Sequence, residues 1–194
     1  MARQITRADI MSMEDYGAIR REKASEIAAL KRHRRMAVGP HATLYFESYD
    51  TMWRQIHEML FIERGGEAQI DDELSAYNPL IPNGRELVAT LMFEISDPEY
   101  RRRFLAKLGG VEETVSIRVG DDRIQAQAET DVDRSTADGK ASTVHFLHFP
   151  FTQLQIERFN DPDTEVVVAI DHPQYAHMAR MPDEVRAALT GDFE

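Results

Sequence analysis

Runs of alternating apolar and polar residues are separated along this chain by segments of helical periodicity, and this order indicates the fold class. The clearest strand covers residues 87–95, where Leu87 and Leu91 share one face while Thr90 and Glu94 share the other. Further strands are predicted at residues 41–48, 112–130 (a hairpin), 144–151 and 165–171, and helices at residues 13–36, 50–64, 67–77, 97–108, 152–159 and 182–189. Strands interrupted by helices predict an α+β fold: a mixed, largely antiparallel sheet with helices packed on it and a long N-terminal helix.

The composition indicates one globular domain that needs no covalent cross-link. Of the 194 residues, 42% are hydrophobic and 29% are charged, which is typical of folded proteins. We expect a single domain at residues 1–194, with a helical arm at 1–36 and an α+β body at 37–194. The chain has no Cys, so it can hold neither disulfides nor an iron–sulfur cluster. Because no signal segment and no run of about 20 apolar residues is present, we expect a cytoplasmic protein without a membrane partner.

The charge distribution argues against nucleic acid as the main partner. The net charge is −11, and a strongly acidic protein repels phosphate backbones. The exception is the basic run Lys31-Arg32-His33-Arg34-Arg35. We interpret it as solvated cations that complement the dipole at the C-terminus of the first helix. Docking to an acidic partner, or a regulatory role on DNA, is the alternative.

No loop of this chain has the glycine spacing of a nucleotide-binding site. Its glycines never form the G-x-G-x-x-G or G-x-x-x-x-G-K-[ST] patterns that hold phosphate groups. Asp131, Asp133 and Ser135 alternate as in a calcium loop, but Thr136 and Ser142 stand where an EF-hand needs Gly and Glu. We therefore predict neither a nucleotide loop nor a calcium loop.

Two pairs of histidines have spacings that occur in metal sites. His145 and His148 lie in a predicted strand, where residues three apart point to opposite faces, so we predict that they do not share an ion. His172 and His177 flank a predicted turn at Pro173. They either lie apart, each bound to its own partner, or meet at one metal ion.

The strongest candidate site is the helical segment Trp53-Arg54-Gln55-Ile56-His57-Glu58. Arg54 and Glu58 are four residues apart, so the simplest interpretation is an ion pair along one helix face. The alternative is a functional polar pocket formed with two strands by Glu47, Arg54, Gln55, Glu58 and Glu94. Adjacent carboxylates raise one another's pKa, which would create an acid–base site or a metal site, with His57 and Glu58 as possible metal ligands.

Several short motifs, spread over nearly the whole chain, together resemble a known family. They are Val38-Gly39-Pro40-His41, Phe46-Glu47, Arg54-Gln55-Ile56-His57-Glu58-Met59, Leu80-Ile81-Pro82, Glu86-Leu87-Val88-Ala89-Thr90-Leu91, Val144-His145-Phe146-Leu147-His148-Phe149-Pro150 and Asp171-His172-Pro173-Gln174-Tyr175. The combination is similar to an uncharacterised bacterial family, the domain of unknown function 3501.

This resemblance implies a role near redox proteins. Members of the family tend to be encoded beside rubrerythrin-like proteins and iron–sulfur oxidoreductases. The resemblance therefore implies an accessory or ligand-binding protein of a redox or peroxide-defence system, with a rubrerythrin-like or iron–sulfur protein as partner. Because this chain lacks Cys, it would not carry the iron–sulfur cluster itself. A metal-dependent enzyme that uses the Glu and His residues named above is the alternative.

Overall fold

Six α-helices and nine strands form the described part of the chain, residues 4–129 and 141–193 of a computed structural model. The helices are α1 (Met13–Arg32), α2 (Tyr49–Glu63), α3 (Glu67–Tyr77), α4 (Pro98–Leu105), α5 (Gln153–Asn160) and α6 (Asp183–Leu189). The strands are β1 (Arg35–Val38), β2 (Ala42–Phe46), β3 (Glu86–Phe93), β4 (Val115–Val119), β5 (Asp122–Gln125), β6 (Gln127–Ala128), β7 (Val144–Pro150), β8 (Val166–His172) and β9 (Tyr175–Arg180). The predicted α+β class and the long first helix are confirmed.

The described strands form two antiparallel sheets where the sequence predicted one. The first sheet has the order β1-β2-β3-β7-β6, and the second has the order β5-β4-β8-β9. The predicted hairpin at residues 112–130 contributes to both. After β5 the chain passes through the buried residue Ala126, and β6 then pairs with β7 instead of β4.

The main hydrophobic core lies between the two sheets, and a smaller one lies between the first sheet and its helices. In β3, alternate residues face the two cores, because successive side chains of a strand point to opposite sides. Leu87 and Leu91 belong to the main core, whereas Val88 belongs to the smaller one. The main core includes Leu44, Phe46, Val115, Ile117, Phe149, Val168 and Ile170, and the smaller core includes Ile5, Met52, Ile56, Leu60, Ile70 and Leu80.

The end of the first helix differs from the prediction. The helix ends at Arg32, and Arg35–Val38 forms strand β1, so the predicted helical arm at residues 1–36 is too long. The side chain of Arg34 is also buried rather than solvated, with 4% of it exposed. Its guanidinium donates hydrogen bonds to three backbone carbonyls and one carboxylate, those of Phe46, Glu47, Ala188 and Asp192. Arg34 therefore ties the C-terminal turn to the junction between β2 and α2.

Strand β9 was not predicted, because its pattern does not alternate. Three consecutive residues of β9, Ala176, His177 and Met178, are exposed. It pairs with β8 as a hairpin across the turn at Pro173. Asp131, Asp133 and Ser135, which were compared with a calcium loop, lie outside the described residues. Within the described part, no helix is long and apolar enough to cross a membrane.

Candidate functional site

Glu58 forms the centre of a buried polar cluster between α1 and α2. Its Oε1 atom accepts a hydrogen bond from the Tyr16 hydroxyl at 2.6 Å. Arg20 donates from Nη2 to Oε2 at 2.8 Å and from Nε to Oε1 at 3.0 Å. The predicted pair with Arg54 is present but longer, with 3.5 Å between Arg54 Nη2 and Glu58 Oε1. One carboxylate therefore joins two helices through two side chains of α1 and one of α2.

The contacts within this cluster keep the pKa values of Glu58 and Tyr16 far from neutral pH. The hydrogen bond from Arg20 is the largest cause that lowers the pKa of Glu58 to about 2, and the Tyr16 hydroxyl and the charge of Arg54 act in the same direction. Burial, followed by the hydrogen bond to Glu58, raises the pKa of Tyr16. Glu58 is therefore an anion and Tyr16 a neutral phenol at physiological pH. Neither group is poised to exchange a proton there.

His57 is fully buried and has both ring nitrogens occupied. Nδ1 lies 2.7 Å from the carbonyl oxygen of Trp53, and Nε2 lies 3.1 Å from the backbone nitrogen of Met11. Because a backbone N–H can only donate, Nε2 accepts, and the proton on Nδ1 is donated to the carbonyl. Burial lowers the pKa of His57, which favours this neutral form. The proposed metal ligands His57 and Glu58 are thus both bound to protein groups.

Glu47 and Gln55, the next members of the predicted pocket, have separate surroundings. Glu47 is buried, and its two carboxylate oxygens accept hydrogen bonds from the hydroxyls of Thr51 at 2.7 Å and Thr90 at 2.6 Å. The Nε2 atom of Gln55 donates a long hydrogen bond to the hydroxyl of Tyr77 at 3.5 Å. Glu47 therefore joins the start of α2 to the sheet, while Gln55 faces α3.

Glu94 lies at the opposite end of the first sheet. Its carboxylate accepts hydrogen bonds from Thr43 Oγ1 at 2.7 Å and from the Tyr45 hydroxyl at 2.8 Å. The backbone N–H of Glu47 bonds to the carbonyl of Val88, six residues before Glu94 on the same strand. The two carboxylates bind different hydroxyls, and among the described residues neither has a hydrogen bond or an ion pair with Arg54, Gln55 or Glu58. The structure does not bring the five predicted residues into one pocket.

The histidines of β7 point to opposite faces, as predicted. His145 is buried, whereas His148 lies on the other face of the strand between two carboxylates. The distances are 3.1 Å from His148 Nδ1 to Glu86 Oε2 and 3.4 Å from Nε2 to Glu129 Oε1. The hydrogen bond with Glu86 is the largest cause that raises the pKa of His148.

His172 and His177 each have a protein partner within the β8–β9 hairpin. His172 Nδ1 accepts a hydrogen bond from the backbone N–H of Gln174 at 3.2 Å. The ring of His177 packs edge-on against Tyr175, with 4.4 Å between the centroids. Within residues 4–129 and 141–193, no three or more His, Asp or Glu side chains are grouped in a way that could hold a metal ion.

The N-terminal segment, residues 4–12, lies across α2 and α3 as a strap held by four side chains. Asn78 bonds to both backbone groups of Ile5, Arg7 pairs with Asp71 and Glu67, Trp53 donates to the carbonyl of Asp9, and His57 accepts from Met11. Every one of these contacts is long-range in sequence, so the strap forms only when α2 and α3 are packed.

A cleft of about 550 Å³ lies between the strap, the C-terminal half of α2 and the start of α3. Its walls are mainly apolar and include Ile10, Met11, Met13, Leu60, Phe61 and Ile70. Arg64, Glu14 and Glu67 are its charged lining residues, and no carboxylate of the described residues forms an ion pair with Arg64. The volume and the mainly apolar walls with a few charged side chains are typical of a small-molecule site. This cleft has no signature in the sequence, because its walls come from three separate segments.

Comparison with known proteins assigns the chain to a family without assigning an activity. The family model of a protein of unknown function, DUF3501, matches residues 4–193. This chain belongs to that family. A crystal structure from Burkholderia pseudomallei K96243, described as a novel protein of unknown function, is 37% identical in sequence. The match covers 99% of this chain and 100% of that chain, with a TM-score of 0.91. No curated protein matches.

Proposed function

We propose that this protein binds a small, largely apolar ligand in the cleft beneath its N-terminal strap and serves a redox or peroxide-defence system as an accessory protein. The cleft is the observation that carries the proposal. Its volume of about 550 Å³ lies within the range of roughly 300–1,000 Å³ that is typical of small-molecule sites. Met11 and Met13 contribute flexible, polarizable walls that adapt to a ligand's shape.

The anchored strap supports a cleft that exists before the ligand binds. Met11, which lines the cleft, is fixed by the hydrogen bond from its N–H to His57. Arg7 is bound to Asp71 with 2.8 Å between Nε and Oδ1. Because these contacts already order the strap in the folded protein, ligand binding does not incur the entropy cost of ordering it. The affinity is therefore higher.

The state of the acid–base candidates supports binding rather than catalysis. Glu58 is held as an anion by Arg20, and Tyr16 is held as a neutral phenol. The lone pair of His57 accepts the N–H of Met11. A general acid or base needs a pKa near the working pH and a free path to its substrate. Glu58 and Tyr16 lack such a pKa, and the lone pair of His57 is already occupied.

The redox role rests on the family resemblance. Because the chain contains no Cys, an iron–sulfur centre would belong to a partner, a rubrerythrin-like or iron–sulfur protein of the cytoplasm. In this role the ligand-binding protein would deliver, remove or sense a small molecule for that partner. The ligand and the partner are separate parts of the proposal and need separate experiments.

Titration with Nile red, an uncharged apolar dye, tests the cleft. We expect saturable binding of one dye per chain, and the variant Met13→Trp, which fills the cleft, should weaken it by about ten-fold, the equivalent of 1.4 kcal/mol. The matched control is Ile62→Ser, which removes an exposed apolar side chain outside the cleft wall. If Met13→Trp folds with unchanged thermal unfolding and binds the dye as the wild type does, the ligand site is elsewhere.

Sedimentation velocity with a purified partner tests the redox role. The partner is a rubrerythrin-like or iron–sulfur protein from the same organism, mixed with this protein at tens of micromolar, where transient complexes are populated. A complex of defined stoichiometry supports the role. Independent sedimentation of the two proteins, with and without saturating dye, would contradict the role and leave the ligand site standing.

A further inference from the structure

Helix α4 and the turn that follows it form a locally positive segment of an acidic protein. The net charge of the chain is −11, but residues 98–107 contain four cations and one carboxylate, namely Arg101, Arg102, Arg103 and Lys107 with Glu99. The composition does not explain this concentration of positive charge, because acidic residues outnumber basic ones 34 to 23 over the chain.

Two of the four cations have no strong partner. Arg101 donates to a backbone carbonyl at 3.0 Å, and Arg102 binds Glu99 through both nitrogens of its fork at 2.7–3.2 Å. Arg103 Nε lies 3.9 Å from Glu99 Oε1, and its side chain is 68% exposed. Lys107 forms no ion pair with any described residue. Lys107 lies in the turn just after α4. Because Arg103 and Lys107 carry like charges, an anion bound between them would relieve their repulsion.

These two cations line a cleft between α4 and the turn that joins β8 to β9. The cleft has a volume of about 560 Å³, with Phe104 and Leu108 as apolar walls and Gln174 on the opposite side. Leu108 is fully buried, so the base of the cleft is continuous with the hydrophobic core. The cleft thus combines two cations, one amide and an apolar surface, the groups that hold an anion attached to an apolar body.

The rim of this cleft is rigid because it is connected to the core. The hydroxyl of Tyr100 lies 3.2 Å from His41 Nε2, and the ring of His41 meets Phe104 edge-on with 5.0 Å between centroids. The backbone N–H of His41 donates to the hydroxyl of Tyr175, which in turn donates to the carbonyl of Val38 at 2.8 Å. Tyr175 is 3% exposed. These contacts hold the phenol and the aromatic wall in place before any ligand arrives.

We propose that the α4 cleft binds a small organic anion, a carboxylate or a phosphate carried on a planar apolar body. Arg103 and Lys107 would hold the charged group, because a guanidinium and an ammonium form charge-assisted hydrogen bonds with such oxygens. Phe104 and Tyr100 would contact the planar part. The site shares no lining residue with the cleft beneath the N-terminal strap, so it is independent of the function proposed above.

Phenyl phosphate is a suitable probe, because it combines a dianion with a planar ring. We expect it to shift the amide signals of residues 100–108 and 172–175 in ¹H–¹⁵N NMR spectra at low salt, and added NaCl should weaken the binding. Benzoate in a parallel titration shows whether a carboxylate replaces the phosphate. Inorganic phosphate and phenol, each tested alone, should bind more weakly than phenyl phosphate. Equal binding of inorganic phosphate and phenyl phosphate would contradict the role of the aromatic wall.

Charge removal decides whether the two cations form the site. The double variant Arg103→Gln/Lys107→Gln should weaken phenyl phosphate binding by about ten-fold or more. It should unfold at the wild-type temperature or higher, because the repulsion between the two cations is removed. The control Lys23→Gln removes one charge from an exposed ion pair of α1 and should change the affinity less than about two-fold. Unchanged affinity in the folded double variant, or shifts confined to other residues, would overturn the proposal.

Discussion

Replacing Glu58 by Gln should destabilise the protein because the carboxylate binds Arg20 more strongly in the native state than in the unfolded chain. The pKa of Glu58 falls from 4.5 to about 2 on folding. At about 1.4 kcal/mol per pH unit, this difference corresponds to about 3 kcal/mol at neutral pH. The side chain of Arg20 is 41% exposed, so solvent screening reduces the expected loss to about 2 kcal/mol. Gln keeps the shape and can still accept the Tyr16 hydroxyl, so the change isolates the charge.

The effect of this substitution should depend on pH in a defined direction. A carboxylate whose pKa is lower in the native state stabilises the protein above its unfolded pKa and loses this contribution as pH falls through the native value. The difference in free energy of unfolding between wild type and Glu58→Gln should therefore be constant above about pH 5 and shrink as the pH falls toward 2. Urea unfolding followed by Trp53, the single tryptophan, reports on the same region, because its ring lies 6.0 Å from that of Tyr16.

A matched control separates this buried pair from ordinary surface pairs. Glu26→Gln removes a carboxylate that is 50% exposed and lies 2.7 Å from Lys23. We expect it to change the free energy of unfolding by less than about 0.5 kcal/mol at any pH. If the Glu58→Gln difference stayed the same from pH 7 to pH 3, the shape of the side chain rather than its charge would be what stabilises the α1–α2 contact.

Three further predictions concern other ionisable side chains that are buried or partly buried. Burial lowers the pKa of His57, so the native state binds fewer protons than the unfolded chain below pH 6.5. The temperature of thermal unfolding should therefore fall between pH 6.5 and 5.5, and it should fall less in His57→Gln. Glu86 raises the pKa of His148, so protonated His148 stabilises the native state below pH 6.5 and this contribution is lost as pH rises above that value. In thermal unfolding between pH 6 and 8, His148→Gln should lose less stability than the wild type. Arg34→Met leaves Asp192 buried without its partner and should reduce the free energy of unfolding by about 3–5 kcal/mol in urea titrations. Adding Asp192→Asn should restore only part of this loss, because the carbonyls of Phe46, Glu47 and Ala188 still lack the guanidinium donor.

Most elements of the fold could be predicted from local patterns, because periodicity and helix caps act over a few residues. The helix predicted at 67–77 is α3, and the alternation at 87–95 marks β3. At α4, within the helix predicted at 97–108, the side chain of Asp97 accepts the N–H of Tyr100 and Pro98 is the first helical residue. Each of these signals is complete within one segment of chain.

The elements that were missed depend on contacts between distant segments. Strand β1 has four residues, and strand β9 has no alternating pattern, so pairing with β2 and β8 is what makes them strands. The division into two sheets likewise depends on where the chain crosses after β5. The burial of Arg34 follows from the C-terminal turn, whose Asp192 is 158 residues away in sequence.

The same distinction applies to the candidate sites. The sequence by itself determined that Arg54 and Glu58 can pair, because helix geometry places residues four apart on one face. Tyr16 and Arg20, which bind Glu58 more closely, are 42 and 38 residues away, and only the packing of α1 on α2 decided that they meet it. Both clefts are likewise formed by distant segments. A hydrogen bond or a cavity wall between such segments has no fixed spacing in sequence, so it exists only once the chain has folded.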